Sequence, residues 1–245
     1  MKKFVSVFGL FGKMSFCKII LWIVILSVLQ FSLYFVSLNG TLSADINDAP
    51  ILEETFTSFY SISFLVCLCI VCKLLISPSN HSEKTAYTVQ RLQINDKAFF
   101  YIQTVYNAFM LSILFFVQIL LLFIMCKYYI YKAPSALVSD MSLFLAFYRV
   151  DFLHSILPLD DTSMVVGNLS IIIGLSFSCA LFSFKSRHGK FSYSIIWLLA
   201  VVCLSFTRSM GNISSDINFQ VCTLLVVLKG LYTVHVKEEE DEETN

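Results

Sequence analysis

Six long apolar stretches fix the solvent in which this chain folds. They run Ile19–Leu38, Phe56–Cys72, Ala98–Cys126, Thr162–Phe184, Phe191–Thr207 and Ile217–Val236. The first five hold no charged residue and the sixth holds only Lys229. A helix crossing the hydrocarbon of a bilayer needs ~20 predominantly apolar residues, and each stretch is of that order. The expected fold class is therefore all-α, a polytopic membrane protein with six transmembrane helices. Of 245 residues, 57% are hydrophobic and 14% charged, well outside the averages of soluble domains. The polar stretches are too short for a separate soluble domain. The expected organisation is one integral membrane domain over 1–245: an interfacial helix at 1–18, a six-span bundle at 19–236 and a disordered acidic tail at 237–245.

Orientation follows from where the basic residues sit on alternate sides of the spans. One side collects Lys2, Lys3, Lys13, Lys18, Lys73, Lys84, Arg91, Lys97, Lys185, Arg187, Lys190, Lys229 and Lys237, and the other only Lys127, Lys132, Arg149 and Arg208. This bias places both termini in the cytoplasm of a multi-pass protein of the cell membrane. Ile19–Leu38 is too long for a signal-peptide core and is expected to stay as a helix.

Three segments outside the spans carry pattern. On a helical wheel Phe4, Val7, Phe8, Phe11 and Met14 share one side of residues 1–18, opposite Lys2, Ser6, Gly9 and Lys13. That arrangement suits a helix lying in the membrane interface with lysines toward headgroups. Between the second and third spans, Pro78 ends one helix, and Ser82 with Glu83 can cap a short helix over Glu83–Leu92. Between Lys127 and Asp161, Met141, Leu145, Tyr148, Phe152 and Ile156 line one side of a further helix. Arg149 in its middle makes it a poor spanning segment, so it is expected to lie on the outer face. The run Glu238–Glu243 is too charged to order itself.

The third span is long: 29 uncharged residues separate Lys97 from Lys127, about 43 Å of helix at 1.5 Å per residue. Its polar start is expected to project beyond the bilayer and continue from the preceding loop as one rigid element.

Site chemistry is sparse. No G-x-x-x-x-G-K-[ST] and no H-E-x-x-H occurs, so no nucleotide-binding loop or zinc-protease helix is expected, and no catalytic residue, cofactor or metal is assigned. Cys69-x-x-Cys72 puts two thiols near one another, but no His or carboxylate lies nearby in sequence to complete four ligands. Asp151 and His154 stand one turn apart, where a metal or a proton relay is conceivable and a solvated face is the plainer reading. Four uncharged polar residues lie inside spans: Gln30, Asn107, Gln118 and Asn168. Each must find a partner in hydrocarbon, either as interhelical glue or along a pathway. Lys229 lies close enough to the inner end of its span to snorkel.

The start KKFVSVFGLFGKMSF, the loop EKTAYTVQRLQINDKAFFYIQ running into the third span, and six spans with both ends inside resemble the membrane subunits of ABC-2-type exporters. The resemblance is to small permease-like proteins of Gram-positive bacteria. It implies a subunit that is not itself an enzyme and relies on a separate ATPase. It further implies a coupling helix that docks on that ATPase through Tyr87, Gln90, Arg91 and Leu92. It also implies a homo- or heterodimer of membrane subunits in the lipid bilayer, with no nucleic acid partner. The alternative class is a non-transporting scaffold, sensor or immunity protein presenting cytoplasmic loops to a partner.

Overall fold

The computed structural model describes residues 2–42, 52–76, 96–133, 141–159, 161–187, 193–206 and 213–243. Every regular element among them is helical. Four helices are long and apolar enough to cross a membrane, covering Val7–Asn39, Ser58–Ile76, Lys97–Lys132 and Thr162–Arg187, which is compatible with a multi-pass membrane protein. They correspond to the first four expected spans.

Helix α1 (Lys2–Phe11) does not stand apart from the first span. It passes through a π-helical turn at Gly12–Phe16 into α2 (Cys17–Leu42). The side expected to face lipid instead packs on another helix: Val7 and Phe11 are fully buried, and Phe11 lies against Phe99 and Tyr106 at ring distances of 5.1 and 5.6 Å. Aromatic area gains more from a protein groove that also orders the rings than from lipid tails of equal polarity. Inside the π-turn Ser15 donates to the Phe11 carbonyl at 3.0 Å, and its hydroxyl sits 3.1 Å from that of Tyr106. Widened turns of this kind gather where a side chain enters the backbone ladder.

A 3-10 turn (Leu52–Thr55) precedes α3 (Ser58–Ile76). Next comes α4 (Asp96–Lys132), 37 residues long. Phe99, Gln103, Asn107, Met110, Leu114, Gln118, Leu122, Met125 and Tyr129 are all buried along it. Steps of three and four residues put these on one face, so a single inward stripe runs the full length of α4. Tyr101, Val105, Phe109, Phe116, Leu120 and Ile124 point out of the bundle.

The segment expected on the outer face folds as two helices rather than one: α5 (Ser142–Arg149) and α6 (Asp151–Ile156). The break is Val150, whose extended backbone (φ −83°, ψ 114°) ends α5 and starts α6. A β-branched residue adopts that conformation readily.

Helix α7 (Thr162–Arg187) is the centre of the bundle, touching α3, α4, α8 (Ser194–Phe206) and α9 (Ile213–Glu243). Every residue from Gly174 to Leu181 is buried, so α7 is enclosed on all sides there. Its sequence alternates small and large residues (GLSFSCALF), and small residues let neighbouring backbones approach closely in membranes. A Cβ at Gly174 would sit 3.3 Å from both Leu198 and Thr223, and one at Gly230 of α9 would overlap the Phe177 ring.

Among the described residues, the helices of the last two expected spans are shorter in apolar length than those of the first four. Helix α8 has 13 residues, about 20 Å. The apolar part of α9 runs Gln220–Val234. Helix α9 then continues through Glu243, so the acidic run closes a helix instead of forming the unordered tail that its charge suggests. Glutamate is a good helix former, and extending an existing helix needs no new nucleus.

Gly230→Ala is expected to destabilise the protein by ~1–3 kcal/mol through overpacking on Phe177. Gly167→Ala, whose Cβ meets nothing within 4 Å, is expected to be neutral or slightly stabilising. Thermal unfolding of the two variants in mild detergent separates them, and equal midpoints would contradict the α7–α9 packing.

Candidate functional site

The chemistry available inside the bundle is a set of amides and hydroxyls on the inward stripe of α4 and the helices it meets. They form two groups. Toward the middle of α4, Gln118 donates to Oε1 of Gln30 on α2 at 3.0 Å. Gln30 in turn donates through Nε2 to the Tyr60 carbonyl at 3.4 Å and to the Ser63 hydroxyl, both on α3. Ser63 also donates to the Tyr60 carbonyl at 2.9 Å. Three helices are thereby pinned at one node. Gln30 and Gln118 are both buried.

The second group lies nearer the start of α4, facing α7. Gln103 Nε2 donates to the Ser183 hydroxyl at 2.9 Å, and Asn107 Nδ2 to the Ser176 carbonyl at 3.2 Å. Both amides are wholly buried. Their remaining oxygens, Gln103 Oε1 and Asn107 Oδ1, accept no hydrogen bond among the described residues. The sequence identified Asn107 as an intramembrane polar residue. It did not single out Gln103, the residue one turn earlier, although both belong to the polar start of the same span.

Asn168 serves a different purpose. Its amide donates to the Ser155 and Ile156 carbonyls at 2.9 and 3.2 Å. It thus satisfies orphan carbonyls at the end of α6 and ties that helix to α7. A Tyr34–Phe56–Tyr60 ring cluster joins α2 to the start of α3, with centroids 5.6 to 6.2 Å apart. An Arg149–Glu53 ion pair at 3.2 Å joins the end of α5 to the 3-10 turn. That pair is solvent-exposed, and such pairs contribute little.

The other sequence candidates do not converge. Asp151 is exposed, while His154 is buried with its ring edge-on to Tyr148 at 6.3 Å. Cys69 is exposed and Cys72 buried. No group of three or more His, Cys, Asp or Glu side chains among the described residues is placed to hold a metal. Lys229 is on the exposed side of α9. Tyr87, Gln90, Arg91 and Leu92 lie outside the described residues.

At the start of α4, Phe99 is covered on one side by Phe11 and on another by the Arg187 guanidinium, 4.1 Å from the ring centroid. A cation over an aromatic face adds attraction where water is thin. The first turns of α4 are thus held by α1 and by the end of α7.

Comparisons with family models, with curated proteins and with solved structures return no match for this chain.

A double-mutant cycle on Gln30→Leu and Gln118→Leu is expected to give a coupling energy of ~0.6–1.7 kcal/mol, the range for interhelical hydrogen bonds in bilayers. Additive effects on unfolding in detergent would remove the three-helix node.

Proposed function

We propose that the chain is the membrane-spanning subunit of an ATP-driven exporter of the ABC-2 type, working with a separate ATPase. In this reading all six apolar stretches cross the cell membrane, residues 1–18 lie at its inner interface, and both termini are cytoplasmic. The subunit pairs with a second copy or a similar chain, and two ATPase copies bind beneath. Residues 83–92 form the docking helix, with Tyr87, Gln90, Arg91 and Leu92 at the contact.

One observation carries the proposal: the length and bracing of α4. Its 37 residues span about 55 Å, roughly 25 Å more than the hydrocarbon core. It begins at Asp96, immediately after the segment assigned to docking. Its first turns are clamped by Phe11 and Arg187, while its inward stripe meets α2, α3 and α7 further along. A push on the inner loop would therefore reach the middle of the bundle through one rigid rod, because packed helices transmit displacement and do not absorb it. Energy must come from outside the chain, since the sequence has no nucleotide-binding loop and its apolar stretches no carboxylate for ion coupling.

A second reading has its own support. Each of Gln30, Asn107, Gln118 and Asn168 donates to a neighbouring element, which is how structural glue behaves and not how a substrate path is lined. A non-transporting scaffold, sensor or immunity protein would need no more than that.

Purification from native membranes in mild detergent distinguishes the two. The exporter reading expects an ATPase subunit to co-purify. In that complex Arg91→Glu is expected to reduce the ATP turnover stimulated by the membrane subunit about tenfold or more, since reversing a contact charge costs over ~1.4 kcal/mol. Recovery of the chain without any ATPase, or full turnover in the variant, removes the proposal and favours the scaffold. Orientation is read separately: single cysteines at position 2 or 242 should resist a membrane-impermeant maleimide in intact cells.

A further inference from the structure

The π-turn at Gly12–Phe16 changes which residues share a side of the first helix. Lys13 and Lys18 are five positions apart, and in an unbroken α-helix such residues stand ~140° apart. A π-turn takes up one extra residue. The two lysines therefore come together much as an i, i+4 pair does, with Cβ atoms ~5–6 Å apart. The burial pattern follows the same shift: Phe11, Ser15, Ile19 and Ile23, every fourth residue, turn inward, while Lys13 and Lys18 are both exposed. No carboxylate answers them. The first 44 residues hold four lysines and no Asp or Glu, and among the described residues neither Lys13 nor Lys18 is in an ion pair. Along α2 the same side continues through Trp22, Ile25 and Leu29, all exposed and aligned with Lys18 by steps of four, three and four. From Lys18 to Leu29 it measures ~16 Å, about half of the ~30 Å hydrocarbon core.

We propose that this side of the first helix binds an anionic glycerophospholipid, with Lys13 and Lys18 on the headgroup phosphate and the Trp22–Leu29 stripe along an acyl chain. Cα–Cβ bonds tilt toward the N-terminus of a helix, so the Lys18 ammonium reaches back to the level of Lys13. Trp22, one turn further along, stands where an indole has its ring in the acyl region and its N–H free to donate to an ester oxygen. A zwitterionic headgroup brings its own cation against the two lysines, and a headgroup of net negative charge does not. Free phosphate would meet the lysines alone. The apolar length beside them, enough for one leaflet, selects a lipid. The site depends on the first helix facing the bilayer, whether or not an ATPase binds the protein.

The test uses the full chain in lipid nanodiscs, carrying Trp197→Phe so that Trp22 alone fluoresces. Phosphatidylglycerol or phosphatidylcholine with brominated acyl chains is titrated into unbrominated phosphatidylcholine, because bromine quenches only an indole beside it. Half-maximal quenching by the brominated phosphatidylglycerol is expected at a mole fraction about fivefold lower, or lower still, since each lysine near a headgroup gives a preference of that order. Lys13→Gln combined with Lys18→Gln should make the two lipids quench alike. Unchanged quenching of that variant by brominated phosphatidylcholine shows that α2 keeps its place. Lys18→Arg should retain the preference, and so should Lys229→Gln, on a helix that packs against α7 and α8. Equal quenching by the two lipids in the unsubstituted chain means ordinary solvating lipid only and overturns the proposal. So does a preference that survives the double substitution, or one that Lys229→Gln lowers as much.

Discussion

A side-chain amide inside hydrocarbon can turn only to another helix, and that constraint arranges this bundle. Lipid tails are as apolar as leucine, so burial alone gives helices little reason to prefer each other over solvent. Polar groups supply the reason. Gln30 and Gln118 join α2, α3 and α4 at one level, and Gln103 and Asn107 join α4 to α7 at another. The apolar residues between them on the stripe then pack in the register these bonds set. Where polar anchors are fewer, close approach does the work, as along α7 and α9, where Gly174 and Gly230 leave room for a neighbour's side chain.

Much of this was legible in the sequence. Apolar length alone located the four long helices, because a membrane span is defined by composition over ~20 residues and needs no knowledge of its neighbours. The need for partners at Gln30, Asn107 and Gln118 was equally readable, since an amide among leucines is conspicuous. Which partners they would find was not, because that depends on the rotation of each helix about its axis. Residues 1–18 show the same limit from the other side. Phe8, Phe11 and Met14 form an apolar face on any wheel, but a wheel does not distinguish lipid from the Phe99–Tyr106 groove of α4. The outer helix was misjudged as one piece because amphipathic spacing runs through Val150 unbroken, and only its extended backbone marks the division into α5 and α6.

The π-turn at Gly12–Phe16 gives the first helix two segments with separate partners. Before it, Phe8 and Phe11 are set against α4. After it, α2 turns a broad apolar face outward, including Leu21, Trp22, Ile25, Val28 and Leu29, while Ile19, Ile23, Gln30 and Tyr34 look inward. Ser15, hydrogen-bonded to the backbone and beside Tyr106, stands at the changeover. One helix therefore serves as a brace for α4 near its start and as the outer wall of the bundle further along.

The central place of α7 also bears on how the protein is made. Gln103 and Asn107 precede their partners on α7 by 80 and 69 residues. At ~5–20 residues per second of synthesis, α4 waits roughly 3–16 s in the lipid before those partners emerge from the ribosome. During that interval its amides face either the insertion machinery or the membrane itself. A nascent chain stalled before Thr162 would leave both amides without their α7 partners.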